Sequence, residues 1–164
     1  MAALFHDCVY VHGAEDNEDL SIEHAHAMLG DEELVDCSIV SDLISATKLH
    51  FTGGVNLELE NINEGTKIFM DCDIVTFGAD YETFWEADDN LLLEANGCAL
   101  FESKEKMAEV CGKRKAFLVT LLEQSASYHL APATIFNSRW GINLFEKQAQ
   151  ENVARIVKER YSEY

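Results

Sequence analysis

The sequence predicts an all-α fold. Apolar residues recur at spacings of three and four, proline occurs once, at position 132, and period-2 alternation is nearly absent. A length of 164 residues with 48% hydrophobic content suits one domain, 1–164, built as a single helical bundle around one core.

Element by element, a first segment ends near Asp7 to Tyr10, and Val11-His12-Gly13-Ala14 makes a loop. Asp16 is placed to cap a helix that runs to about Leu29, with Glu18 and Asp19 in its first turn and Gly30 as its stop. After Asp31, the positions Leu34, Val35, Ile39, Val40, Leu43, Ile44 and Thr47 trace one apolar helix face, which runs out around Lys48 to His50. Gly53-Gly54 is a turn, and 58–64 a loop or frayed helix. Thr66 to Phe77 is apolar on most sides and stops at Gly78, so it reads as a central, largely buried helix. Asp80 to Ala95 is the next helix. Phe101–Glu109 and Lys113–Gln124 are read as helical on either side of Gly112, Ser125–Asn137 as a loop and Ser138–Tyr161 as the last helix.

Charge narrows the partners. Thirty acids against 12 Lys plus Arg give a net charge of −18. Such a field repels nucleic-acid phosphates and anionic membranes, and it attracts divalent cations. An anionic substrate then depends on local positive charge. No apolar stretch approaches the roughly 20 residues that span a bilayer, and the first residues lack the basic flank and long apolar run of a secretory signal. Five scattered cysteines without a Cys-x-x-Cys pair point away from a disulfide framework and towards a reducing compartment. A soluble cytoplasmic protein is the expectation. An aromatic surplus around Phe84, Trp85 and Trp140 is a candidate self-association patch, hence a homo-oligomer.

Two segments carry chemistry. His6-Asp7 follows an apolar turn, where an imidazole and a carboxylate on adjacent residues can reach one divalent ion. The apolar run Ile68-Phe69-Met70-Asp71-Cys72-Asp73-Ile74-Val75 holds two acids. Burying a carboxylate without a partner costs roughly several kcal/mol, so a metal or a cationic side chain is the expected compensation. Asp73 is the leading third ligand, and Asp71 lies in or near the same shell. Lys48 and His50, with Thr47, stand at a helix end where cations meet loose carbonyls or, alternatively, a phosphate. Lys113 and Arg114 form one of the few basic spots.

In order along the chain, several pieces together resemble the HD-superfamily predicted metal-dependent phosphohydrolases. They are Leu4-Phe5-His6-Asp7-x-Val9-Tyr10, Asp16-Asn17-Glu18-x-x-Ser21, Leu43-Ile44-x-Ala46-Thr47-Lys48-x-His50, Phe69-Met70-Asp71-Cys72-Asp73-Ile74-x-x-Phe77-Gly78, Gly112-Lys113, Tyr128, and Phe145-Glu146-x-x-Ala149-Gln150-x-Asn152. The resemblance implies a helical domain around a metal held by His6, Asp7 and Asp73, with Asp71 a close second. It also implies Asp16 or Glu18 assisting a water, and Lys48, His50, Thr47 and Lys113 facing a small phosphorylated substrate such as a nucleotide. Mn²⁺, Mg²⁺ or Fe²⁺ suits such a His/Asp set. The family pattern has a further His upstream of the pair, and the five residues before His6 hold none. Lys113 stands where the family usually has Arg, which keeps the charge and loses the bidentate fork. The rival readings are a non-catalytic relative that binds or regulates, and an acidic DNA mimic.

Overall fold

Side-chain caps set where several of the described helices begin. The carboxylate of Asp36 accepts from the Ser38 amide, Asn63 from Thr66, Asp80 from Thr83, and the Ser138 hydroxyl from Gly141. The computed structural model describes residues 1–11, 14–30, 35–49, 62–97, 103–127 and 134–164. Among them the fold is all-α, without a strand. The helices are α1 (Ala2–Phe5), α2 (Asn17–Leu29), α3 (Cys37–Thr47), α4 (Glu64–Asp73), α5 (Tyr81–Ala95), α6 (Lys104–Ser127), α7 (Arg139–Leu144) and α8 (Glu146–Glu159), with a 3-10 turn at Val75–Gly78. Gly30, at φ 56°, ends α2 in a conformation that side-chain-bearing residues avoid.

Three expected boundaries move. The helix predicted for Thr66–Phe77 is α4 broken at Ile74, after which a 3-10 turn takes over; the β-branched run Ile74-Val75-Thr76 is a poor continuation of an α-helix. Only Met70 and Asp71 of α4 are buried, so it is a half-exposed helix instead of a central one. Gly112 does not divide α6, because nothing lies within 4 Å of where its Cβ would be and one interior glycine costs only about 1 kcal/mol. The last predicted helix is cut at Phe145, whose φ of −122° leaves the helical range. Gly78 permits the cut, since a Cβ there would lie 2.4 Å from Phe145 Cβ.

Two apolar clusters flank α4. Ala2, Ala25, Leu29, Val40 and Ile44 pack α1, α2 and α3 together, and Phe69 of α4 adds to them. Ile74, Phe77, Phe84, Leu118, Phe136, Val153, Ile156 and Tyr161 belong to the larger cluster formed by the rest of the chain. Phe84 therefore serves the core, and Trp85 lies under the Arg160 guanidinium at 3.9 Å. Of the proposed self-association patch only Trp140 stays exposed.

Buried polar groups fasten the pieces. Asp71 is fully buried and accepts from the Asn137 amide at 2.7 Å, the Asn137 side chain at 3.2 Å, the Ser138 amide at 2.8 Å and the Ser138 hydroxyl. That saturates the carboxylate at the N-terminus of α7, where negative charge is favoured. Asp88, also buried, accepts from Arg114 Nε at 2.7 Å, Arg160 Nη1 at 2.8 Å and the Tyr161 hydroxyl. Glu146 takes the Ile135 and Phe136 amides, and Asn152 donates to the Phe77 and Ala79 carbonyls, which fixes α8 to the core.

Two outcomes follow from these contacts. A methyl at Gly141 would fall 2.2 Å from Asp71 Oδ2 and 2.9 Å from Phe136 Cβ, so Gly141→Ala is expected to destabilise the fold by about 1–3 kcal/mol. Calorimetry checks this, and an unchanged Tm contradicts it. The Tyr81 hydroxyl donates to Glu159 at 3.0 Å. Burial first, then the bond to Glu159 and its charge, push its pKa from 10.0 up to about 12. The folded chain holds this proton more tightly than the unfolded one. The associated stability is complete below pH 10 and is lost as pH rises through about 12. Tyr81→Phe should therefore flatten the alkaline fall of Tm across that window, and an identical slope contradicts the assignment.

Candidate metal centre

His6 caps the C-terminal end of α1, its amide bonded to the Ala2 carbonyl at 2.9 Å. Its ring meets Phe69 of α4 edge-on, with centroids 6.3 Å apart. Nδ1 lies 3.3 Å from the Ala3 carbonyl oxygen. Both ring nitrogens thus face acceptor oxygens, Nδ1 the Ala3 carbonyl and Nε2 the Asp73 carboxylate, and a cation at Nε2 would take the place of the proton shared with Asp73. Nε2 is 2.9 Å from Asp73 Oδ1 and 3.4 Å from Asp7 Oδ2.

Among the described residues, His6, Asp7 and Asp73 form a group whose ligand atoms all lie within 4.8 Å of one another. Donors at adjacent corners of an octahedron with bonds of about 2.1 Å stand about 3 Å apart. The two measured separations are close to that spacing, so the group could hold a small divalent ion, and the shorter one is also the length of an imidazole–carboxylate hydrogen bond. Asp73 is the last residue of α4, and no basic residue occupies the final turn of that helix. The negative end of its dipole is thus directed at the same place.

The strand of chain that follows Asp7 is laced to α2. Val9 donates its amide to Ser21 Oγ at 3.1 Å, and the same hydroxyl lies 3.2 Å from the Val9 carbonyl, to which it can donate. Val11 donates to Asn17 Oδ1 at 2.8 Å, and Asn17 Nδ2 donates to the Val11 carbonyl at 3.0 Å. Both Asn17 and Ser21 are buried. These two residues, which the sequence grouped with catalytic acids, position the loop behind the ligands. Their spacing of four, on one helix face, was the available signal.

The other expected site residues are not members of this three-residue group. Asp71 is two positions from Asp73, so the two side chains point about 200° apart on the helix. Its oxygens already receive the Asn137 and Ser138 donors, so it is an anchor for α7 and not a ligand. Asp16 flanks α2 but its side chain makes no cap bond, and Glu18 is half-buried in the first turn; neither belongs to the three-residue group. Thr47 donates its hydroxyl to the Ile44 carbonyl. Lys48 pairs with Asp19 at 2.5 Å, and Lys113 with Glu109 at 2.7 Å. His50 lies outside the described residues, as do His12, Tyr128 and His129.

Comparison with protein-family models, curated proteins and solved structures finds no match for the chain.

Ser21→Ala removes the hydroxyl that holds the Val9 amide and carbonyl. The expected effect is an Mn²⁺ affinity weaker by about tenfold or more with helix content unchanged, measured by titration calorimetry and circular dichroism. An unaltered Kd removes the positioning role.

Proposed function

We propose that the chain is a metal-dependent phosphohydrolase acting on a nucleotide or another small phosphoester, with Mn²⁺, Mg²⁺ or Fe²⁺ bound by His6, Asp7 and Asp73. The observation that carries this reading is the convergence of an imidazole and a carboxylate 67 positions apart in sequence, with a second carboxylate beside them. A nitrogen-plus-oxygen donor set suits these ions better than a soft thiolate set would. In such a centre the ion supplies Lewis acidity toward a phosphoryl oxygen and a nucleophile at neutral pH.

The chain's own groups have definable tasks. Nε2 of His6 and the carboxylates of Asp7 and Asp73 bind the cation and offset its charge. Phe69 and the Ala3 carbonyl hold the imidazole plane. The family resemblance assigns Glu18, in the first turn of the helix that braces the loop, as the proton acceptor, with Asp16 beside that helix start. Lys48 is the assigned phosphate contact; its exposed pair with Asp19 contributes little and can yield to a stronger anion. No described helix is long and apolar enough to cross a membrane. Acids gathered on a histidine favour metal chemistry over nucleic-acid mimicry, which needs carboxylates strung along one face.

Metal analysis of protein purified without chelator tests the reading, followed by assay of Mn²⁺-loaded protein against nucleotides and sugar phosphates. Near-stoichiometric metal and turnover are expected in the wild type. His6→Ala and Asp73→Ala should each lose the metal and more than about a hundredfold in kcat/KM. Metal content unchanged by both substitutions contradicts the ligand set. Metal without turnover of any phosphoester leaves a binding or regulatory protein in place of the enzyme.

A further inference from the structure

A cavity of about 360 Å³ opens between Tyr10, the C-terminal part of α5 and the N-terminal half of α6. Its apolar wall is Leu91, Leu92, Ala95 and Val110, of which Leu92 and Val110 are buried. The volume is within the roughly 300–1,000 Å³ of small-molecule sites. Tyr10 follows Asp7 by three residues. Through Tyr10 the chain itself holds this cavity wall within about 11 Å of the Asp7 backbone.

The lining is unusual for so acidic a chain. Lys106, Lys113 and Arg114 face one carboxylate, Glu109, in a protein with 12 basic residues against 30 acids. Arg114 is committed to Asp88. Glu109 sits between the two lysines, 3.5 Å from one ammonium and 2.7 Å from the other, so the pair outweighs it. These two ammonium groups are what the cavity lining offers an anion in a chain of net charge −18.

We infer that this cavity receives the organic part of a nucleoside phosphate whose phosphate end lies at His6, Asp7 and Asp73. The heterocycle packs on Leu91, Leu92, Ala95 and Val110 beside the Tyr10 ring, and Lys106 and Lys113 draw in and hold the anion. A flat heterocycle matches an apolar wall with an aromatic edge, whereas the hydroxyls of a sugar phosphate would lose water there without polar partners. The placement of the phosphate rests on the metal reading above; occupancy of the cavity does not.

Leu91→Trp fills the mouth from a position 42% exposed, and Lys113→Glu reverses a charge at a side chain 76% exposed, so neither disturbs the core. Calorimetric titration of the full chain with AMP, GMP, CMP and UMP, run with and without Mn²⁺, reads the outcome. The wild type is expected to bind at least one nucleotide, and both variants to weaken that Kd by about tenfold or more while Mn²⁺ uptake is unchanged. Equal binding by wild type and variants, or no binding of any of the four, overturns the cavity assignment. Wild type that takes up no Mn²⁺ contradicts the metal site instead, and the metal-free titration then decides the cavity on its own.

Discussion

The buried carboxylate of Asp71 is the constraint on which the arrangement of the molecule depends. It receives donors from Asn137 and Ser138 and so welds α4 to the start of α7. The same helix presses Phe69 into the cluster formed by α1, α2 and α3, while Ile74, just past its end, enters the larger core. With its rotation and height set in this way, α4 delivers Asp73 to His6 at 2.9 Å. Two acids one residue apart thereby do opposite work. One is sealed from water and neutralised by hydrogen-bond donors, and the other is left at the surface facing an imidazole. Gly141 is part of the device, because any side chain there would enter the space that the Asp71 carboxylate fills.

Electrostatics connects this framework with function. A chain of net charge −18 has few cations to spend, and the interior takes two of them. Arg114 and Arg160 compensate buried Asp88, and Arg160 reaches Asp89 as well. An unpaired charge at that depth would cost several kcal/mol, roughly, so those guanidinium groups are bound to structure. The cavity lysines on α6 are exposed and flank a single carboxylate, which leaves them able to meet an anion.

Much of this was legible in the residues, for identifiable reasons. Helix-forming periodicity and cap residues such as Asp80 are local signals, and α2 and α5 fall close to the expected limits. The His6-Asp7 and Asp73 pairing was legible because imidazole and carboxylate groups beside apolar runs need a partner. The function of Asp71 was not, since its partners are main-chain amides 66 and 67 positions away and amides leave no mark in a sequence. The break at Phe145 was hidden for a related reason. It depends on close approach between Gly78 and Phe145, a tertiary contact that periodicity does not encode. Asn17 and Ser21 stood in a motif with acids and drew no role of their own, whereas their geometry braces the loop that follows Asp7.

The most direct measurement is an anomalous-scattering map from crystals grown with manganese. A single strong peak bonded to Nε2 of His6 and to oxygens of Asp7 and Asp73, with Asp71 still turned to Asn137 and Ser138, is the expected result. A map with no peak between these three side chains, or with manganese held by other residues, would contradict the shared cation that unites the two ends of the site.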